Sequence, residues 1–469
     1  MTENKPHPAT VAPAAEPANT RRGRSTVAPQ ARLIAPDLAR GLTLLSIAMA
    51  NATVTWGRHT DTVALPDLGG ITGDGTADKL AIAFGILFTH VRGLPLFSTL
   101  MGYGTGMLAL SLWRRGYPVG AARAVLIRRY GLLSVIGVAH MVLAYLGDIM
   151  FFYGVAGILL AALMVFRDKT LYIIAAILGS IGLVVFGAGG LLAGTGPMAQ
   201  GTVSATAVSY PLYVLVNVGA LIVQIVMVPV EIITVFPVIL IGFIWGRNRV
   251  ISNARQHKPL LITAAVIGVA ANLATAVPAI LALYGFIDAS WVERAGTVNA
   301  ASGMLTGPGS LALIVLVCMP LQRRISAAVA AGNPRPIPAV LVPFVALGRR
   351  SMTGYVLQSV LFVALLTPFT LDLGQDKGAL WLTLTATAVW AVTVVVAWAL
   401  ELADLPGPLE WVHRRLAYGN NGLQGHWRPD HPLPVRPGEL IVCSAADNPT
   451  MIIDAPGQPP RPYTPRQQC

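Results

Sequence analysis

Residues 171–192, 210–245, 260–283 and 379–400 are long apolar runs, each reaching the roughly 20 residues that cross about 30 Å of hydrocarbon as a helix. Lipid offers no partners to backbone N–H and C=O groups, so a spanning segment must be a helix or part of a closed barrel. Continuous rather than alternating hydrophobicity selects the helix. The chain is therefore expected to be all-α, a polytopic transmembrane helix bundle. Composition agrees: 54% hydrophobic against 12% charged residues over 469 positions leaves too little polar surface to cover a water-soluble fold of this size.

Hydropathy and breakers place about ten spans, at 37–56, 81–112, 124–145, 150–166, 170–194, 211–245, 259–285, 301–320, 350–369 and 379–402. Two are overlong. The run 81–112 contains His90, Arg92 and Pro95, and 210–245 contains Pro229 and Pro237, so each reads as a broken helix or as a span plus an interfacial piece. Residues 337–347 are too short to cross and are expected at the cytoplasmic surface. The formal charge of +12 sits in short loops, where it reads as a topology signal and not as a nucleic-acid face. Arg21, Arg22, Arg24 and Arg32 precede the first span, and Asp61, Asp67, Asp74 and Asp78 follow it. Later basic clusters alternate in step, among them Arg114 and Arg115, Arg167 and Lys169, Arg323 and Arg324 with Arg335, and Arg349 and Arg350. Both termini are thus expected in the cytoplasm.

Residues 1–31 and 420–469 are Pro-rich and polar and bury too little apolar surface to offset ordering entropy. They are expected to be disordered cytoplasmic tails around a membrane domain at 32–419. The first thirty residues lack the apolar core of a cleavable signal, which leaves the first span as the insertion signal. The three cysteines, Cys318, Cys443 and Cys469, give neither a disulfide framework nor a zinc spacing, and no metal is expected. P-loops, dinucleotide glycine patterns and nucleophile elbows are not found in a suitable strand-turn-helix context.

Ionisable side chains at membrane depth are costly and are functional candidates by default. Asp37 and Arg40 open the first span, with Asn51 eleven residues after Arg40, a spacing that returns to nearly the same helical face. Arg40 and Asn51 form one polar stripe, or else Asp37 and Arg40 are a helix-start charge pair. Arg129 and His140 repeat that spacing, about 16 Å apart along one face. His140 is a general base, a metal ligand or a hydrogen-bonded packing residue. Asp148 either meets His140 across a kink or is an exposed hairpin residue. Glu231, with Gln224 two turns earlier, needs a partner such as Arg92, or lies in an interfacial turn. Ser351, Tyr355 and Gln358 share a face as ligands or as interhelical glue.

The strings DLARG (37–41) with Asn51, LFSTLMGYG (96–104), RRYGLLSVIGVAH (128–140), GDIMFFYGVAG (147–157), FPVILIGFIWGR (236–247), LGRRSMTGYVLQS (347–359) and GPLEWVHRR (407–415) together resemble the YeiB-like family of bacterial membrane proteins, a domain of unknown function. That family usually carries Asn before the Tyr of the ninth span, where this chain has Gly354. It is in turn similar to the membrane acyltransferases of the acyltransferase-three and heparan glucosaminide acetyltransferase types. Asp37, Arg40 and Gly41 with Asn51, and Arg129 with His140, carry that second likeness; His59 does not stand at the spacing of the heparan enzyme's loop histidine.

The resemblance implies transfer of an acyl group from cytoplasmic acyl-CoA to an envelope glycan or lipid acceptor. Arg128 and Arg129 would meet CoA phosphates. His140, with Asp148, would act as base or acyl carrier. Arg40 and Asn51 would orient the acyl carbonyl and stabilise its developing charge, with Asp37 completing the donor site. The same resemblance puts the chain in a bacterial plasma membrane. The rival expectations are a transporter or exporter, with Glu231 and the broken segments as its pathway, and a non-catalytic protein of envelope assembly.

Overall fold

The structure is a computed structural model that describes residues 31–56, 68–72, 75–188, 205–333, 336–374, 377–420 and 422–427. Most of both tails, the arginines before Arg32, Arg335, His59, Asp61, Asp67, Asp74, Cys443 and Cys469 lie outside them. Every regular element among the described residues is helical: α1 (Ile34–Trp56), α2 (Thr76–Phe88), α3 (Gly93–Arg114), α4 (Val119–Leu143), α5 (Met150–Leu163), α6 (Asp168–Gly182), α7 (Tyr210–Thr234), α8 (Phe236–Arg247), α9 (Lys258–Leu283), α10 (Ser290–Ser302), α11 (Thr306–Ala330), α12 (Val342–Arg349), α13 (Ser351–Leu366), α14 (Ala379–Leu402) and α15 (Pro408–Tyr418). With α2 and α3 taken as one segment, eight helical segments among the described residues are long and apolar enough to cross a membrane. Lipid-compatible side chains cover the outside. On α7, Leu215, Ile222, Val223, Ile225 and Val226 are exposed, as expected of a helix facing acyl chains and not water.

Close helix contact is built on glycine, since acyl chains are as apolar as leucine and association in lipid comes from van der Waals fit and short approach. The seam between α3 and α8 is reciprocal. A methyl on Gly102 or Gly106 would overlap the carbonyl oxygens of Ile239 or Phe243, and one on Gly242 or Gly246 those of Thr99 or Tyr103. Gly137 of α4 lies against Phe151 of α5, while Gly154 and Gly157 of α5 lie against Ser134 and Tyr130.

Both overlong runs are broken. Between α2 and α3, Val91 takes a positive φ of 54°, and the Arg92 guanidinium turns into the protein to donate to Asn299 Oδ1 at 2.7 Å. Asn299 also accepts from Thr275 Oγ1. Arg92 is thus not the partner of Glu231. Between α7 and α8 the helix is interrupted at Val235, and Pro237 stands in the first turn of α8, where its missing N–H costs nothing. Of residues 337–347, expected at the surface, Pro338, Ala339 and Val340 are exposed, and the residues that follow enter α12. Val345, Ala346, Leu347 and Gly348 are buried, α12 packs against α1 and α14, and a Cβ on Gly348 would overlap the Asp37 carbonyl.

The chain stays in contact with the bundle beyond residue 419. Trp427 lies on the Tyr117 ring, and its amide donates to the Arg115 carbonyl at 2.8 Å.

Candidate functional site

A cavity of about 440 Å³ opens at the arginine-rich end of the bundle between α1, α3, α4, α5, α13 and α15. Its depth is apolar, lined by Leu44, Ile47, Phe97, Met101, Leu108, Leu133, Ile149, Met150 and Tyr153, and its mouth carries Arg32, Asp37, Arg40, Arg129, Arg349, Glu410 and His413. Tryptophan holds one wall in place: Trp390 Nε1 of α14 donates to the Gly41 carbonyl at 3.0 Å.

Asp37 is the hub of the mouth. In the first turn of α1 it is stabilised by the free amides and the positive helix end, and it is buried. Arg32 Nε donates to its Oδ2 at 2.7 Å, Arg40 Nη1 lies 3.7 Å from Oδ1, and Arg349 Nε lies 3.6 Å from Oδ2. One carboxylate so serves three guanidinium groups, and the mouth keeps positive charge for an anion. The helix-start pairing of Asp37 and Arg40 and the cavity-lining role of Arg40 are both realised. Asn51 is not part of this wall: it stands three turns along α1, half-buried, and does not line the cavity.

Arg129 and Arg128 are neighbours with different fates, because successive side chains on a helix diverge by about 100°. Arg129 faces the cavity, where Nη1 donates to Tyr418 Oη at 2.7 Å and the guanidinium lies over the Tyr130 and Tyr418 rings. Arg128 turns away to donate twice to the Leu416 carbonyl, at 3.0 and 2.6 Å. There it satisfies an open carbonyl near the end of α15. Its expected place on the donor's phosphates is not supported by this geometry.

His140 and Asp148 meet directly, through the kink between α4 and α5. His140 Nδ1 lies 2.7 Å from Asp148 Oδ2, and Phe151 N donates to Oδ1 at 2.8 Å. Asp148 therefore closes the first turn of α5 while fixing the imidazole on α4. It is 3% exposed, so the exposed-hairpin alternative is excluded. The turn holds because α7 satisfies the last carbonyls of α4: Asn217 donates to Val142, Tyr210 to Leu143 and Tyr213 to Ala144. In the tautomer that donates Nδ1–H to the carboxylate, the lone pair is on Nε2. Nε2 is buried and has no hydrogen-bond partner among the described residues.

The dyad does not itself line the cavity. Tyr355 does, and its ring stands 5.1 Å from the imidazole, with its hydroxyl donating to the Gly147 carbonyl at 3.4 Å. Arg40 and Arg129 thus share one cavity, while His140 and Asp148 sit behind its Tyr355 wall. Of the polar face expected on 350–369, Ser351 and Tyr355 line the cavity, and Gln358 is interhelical glue, donating to the Leu44 carbonyl.

Three functional positions lie on α15, whose residues had no individual role in the sequence reading. Glu410 accepts from the amides of Met352 and Thr353 at 2.7 and 3.1 Å, satisfying the start of α13. His413 Nε2 donates to the Arg129 carbonyl at 2.8 Å. Burial, and then the Arg129 charge, lower the His413 pKa below its usual 6.5. Tyr418 completes the roof. Their signal in the sequence was an amphipathic 11-residue helix after the last span, with Glu410, His413 and Tyr418 on one side; only contact with α4 and α13 shows what that side faces. Among the described residues no cluster of three or more His, Cys, Asp or Glu could hold a metal.

Residues 245–420 match the family model described as protein of unknown function, DUF418. The match takes in Tyr355, Arg349 and the whole of α15, but not α1 or α4. No curated protein matches the chain.

Proposed function

We propose that this chain, whose residues 245–420 match the DUF418 family model, is a membrane-bound acyltransferase that moves an acyl group from cytoplasmic acyl-CoA to an envelope glycan or lipid. The observation that carries the reading is the His140–Asp148 pair with an unpartnered Nε2, behind a cavity that joins a cationic mouth to an apolar depth. An anion with an apolar arm fits that polarity. An imidazole oriented by a carboxylate is the usual arrangement of a general base.

In this reading the arginine mouth binds the anionic part of the donor, through Arg129 and Arg40. Arg40 stands at the rim with Asp37, so we assign it to the donor's charge and not to the acyl carbonyl. As the acceptor hydroxyl oxygen bonds to the thioester carbon, Nε2 of His140 takes its proton; the C–S bond then breaks, and the thiolate recovers that proton from the imidazolium. Asp148 holds the tautomer and stabilises the transient charge. Rotation of Tyr355 opens the wall between donor and base. The topology that suits this has ten crossings, the eight long segments with α5 and α13, and both termini in the cytoplasm of a bacterium.

The test is direct. Protein reconstituted in lipid nanodiscs with acyl-CoA and a bacterial glycan and lipid fraction should release free thiol and transfer labelled acyl groups. Absence of both, with reporter fusions showing the arginine-rich loops outside, would remove the proposal. Transport is the second reading, favoured by Glu231, whose Oε2 is buried without a hydrogen-bond partner among the described residues; it predicts flux that Glu231→Gln abolishes and no thioester consumption.

A further inference from the structure

A second cavity, of about 540 Å³, lies on the other side of the Arg32, Arg349 and Glu410 wall and carries Arg350, Glu401, Arg414 and Arg415 as its remaining charged groups. Its carboxylates are spent. Glu401 receives Arg349 on Oε1 and Arg350 on Oε2, each at 2.6 Å, and Glu410 is taken by the first amides of α13. Arg414 and Arg415 meet no carboxylate among the described residues, Arg415 lying instead over the Trp411 ring. Arg350 is 7% exposed and pinned by two donations to the Leu405 carbonyl, at 3.1 and 2.5 Å. The cationic face is therefore built and rigid on one side and supplied with free guanidinium groups on the other. Arginines arranged in this way recognise phosphate oxygens.

We infer that this outer cavity is a binding site for an organic diphosphate, whose remaining arm passes the Arg32–Arg349 wall into the apolar cavity beyond. Arg32 and Arg349 are also shared with Asp37 on the inner side, so five arginines stand against three engaged carboxylates, and the surplus of two guanidinium groups, Arg414 and Arg415, matches a diphosphate better than a single carboxylate ligand. The inference deepens the acyl-CoA reading and rests on it for the nature of the arm. The diphosphate chemistry stands on the cavity alone, and is shared by nucleotide-linked thioesters and by lipid diphosphates.

The experiment compares full-length protein with the Arg414→Ala/Arg415→Ala double variant, using acyl-CoA, the matching acyl-pantetheine, which lacks the diphosphate, and a polyprenyl diphosphate, each as substrate and as ligand in a thermal-shift titration, with inorganic pyrophosphate as the minimal probe. Loss of two charge-assisted contacts should lower the wild-type preference for acyl-CoA over acyl-pantetheine by about tenfold or more, and should weaken pyrophosphate binding by a similar factor. Equal ratios in the two proteins would overturn the inference. If no thioester is consumed by wild type, the acyl-transfer reading fails by itself. The outer site then survives if pyrophosphate or the polyprenyl compound binds wild type and not the variant, and is overturned if neither binds.

Discussion

Two polar clusters stand about 16 Å apart along α4, one around Arg129 and Asp37 and one around His140 and Asp148, and they are built on opposite terms. The first is open, over-supplied with guanidinium groups, and arranged around a single shared carboxylate. The second is sealed, balanced one base to one acid, and leaves a single nitrogen unsatisfied. A cation-rich cluster at a cavity mouth can hold an anionic ligand, while its own Asp37, Glu410 and His413 are taken up by arginines, helix amides and the Arg129 carbonyl. A sealed dyad can move a proton but has no room to hold a ligand. The difference teaches that substitutions in the two places should fail in different ways, in turnover at one and in apparent affinity at the other.

The largest expected effect is at the dyad. Asp148→Asn keeps an oxygen for the Phe151 amide but lets the imidazole lose its fixed tautomer, so acyl-CoA turnover should fall about 100-fold or more with acyl-CoA binding retained, measured by steady-state kinetics beside a binding titration. A fall in binding instead would erase the distinction between the clusters. Next comes the mouth. Arg129→Lys keeps charge but loses the planar fork that reaches Tyr418, and the apparent KM for acyl-CoA should rise about tenfold with little change in kcat.

A smaller effect sharpens the contrast between neighbours. Arg128→Ala removes two hydrogen bonds to the Leu416 carbonyl and should lower stability by about 1 kcal/mol in thermal melts, with KM within about twofold of wild type. The smallest is a pH effect at the roof. The folded His413 pKa is below the usual 6.5, so the unfolded chain takes up this proton first as pH falls. Stability should decline as pH descends below about 6.5 and level off under the folded value. His413→Gln should flatten that part of the pH profile of the melting temperature; an unchanged profile would show that His413 is not its source.

The fold was legible wherever one period governed. Uninterrupted hydrophobicity at α7, α9 and α14 announces a spanning helix by length alone, and His90, Arg92 and Pro237 mark the breaks at α2–α3 and α7–α8. The 11-residue run 337–347 was legible as too short to cross, but not where it turns inward: its first part is exposed, and only the contact of Gly348 with Asp37 shows that its end packs on α1. At the site, helical periodicity placed Arg129 and His140 on one face of α4. It did not bring Asp148 to His140, since that contact depends on the kink and on the α7 side chains that close α4. Asn51 shows the reverse: shared facing on α1 did not make it a neighbour of the cavity, because the wall ends short of it.

The dyad's role is tested most directly by His140→Gln in purified, reconstituted protein, with acyl-CoA turnover and thermal stability measured together against wild type. Glutamine keeps similar size and hydrogen-bonding capacity but accepts no proton near neutral pH. A catalytic His140 predicts a melting temperature within a few degrees of wild type, unchanged acyl-CoA binding and turnover lower by about 100-fold or more. A well-folded His140→Gln protein that consumes acyl-CoA at the wild-type rate would contradict it.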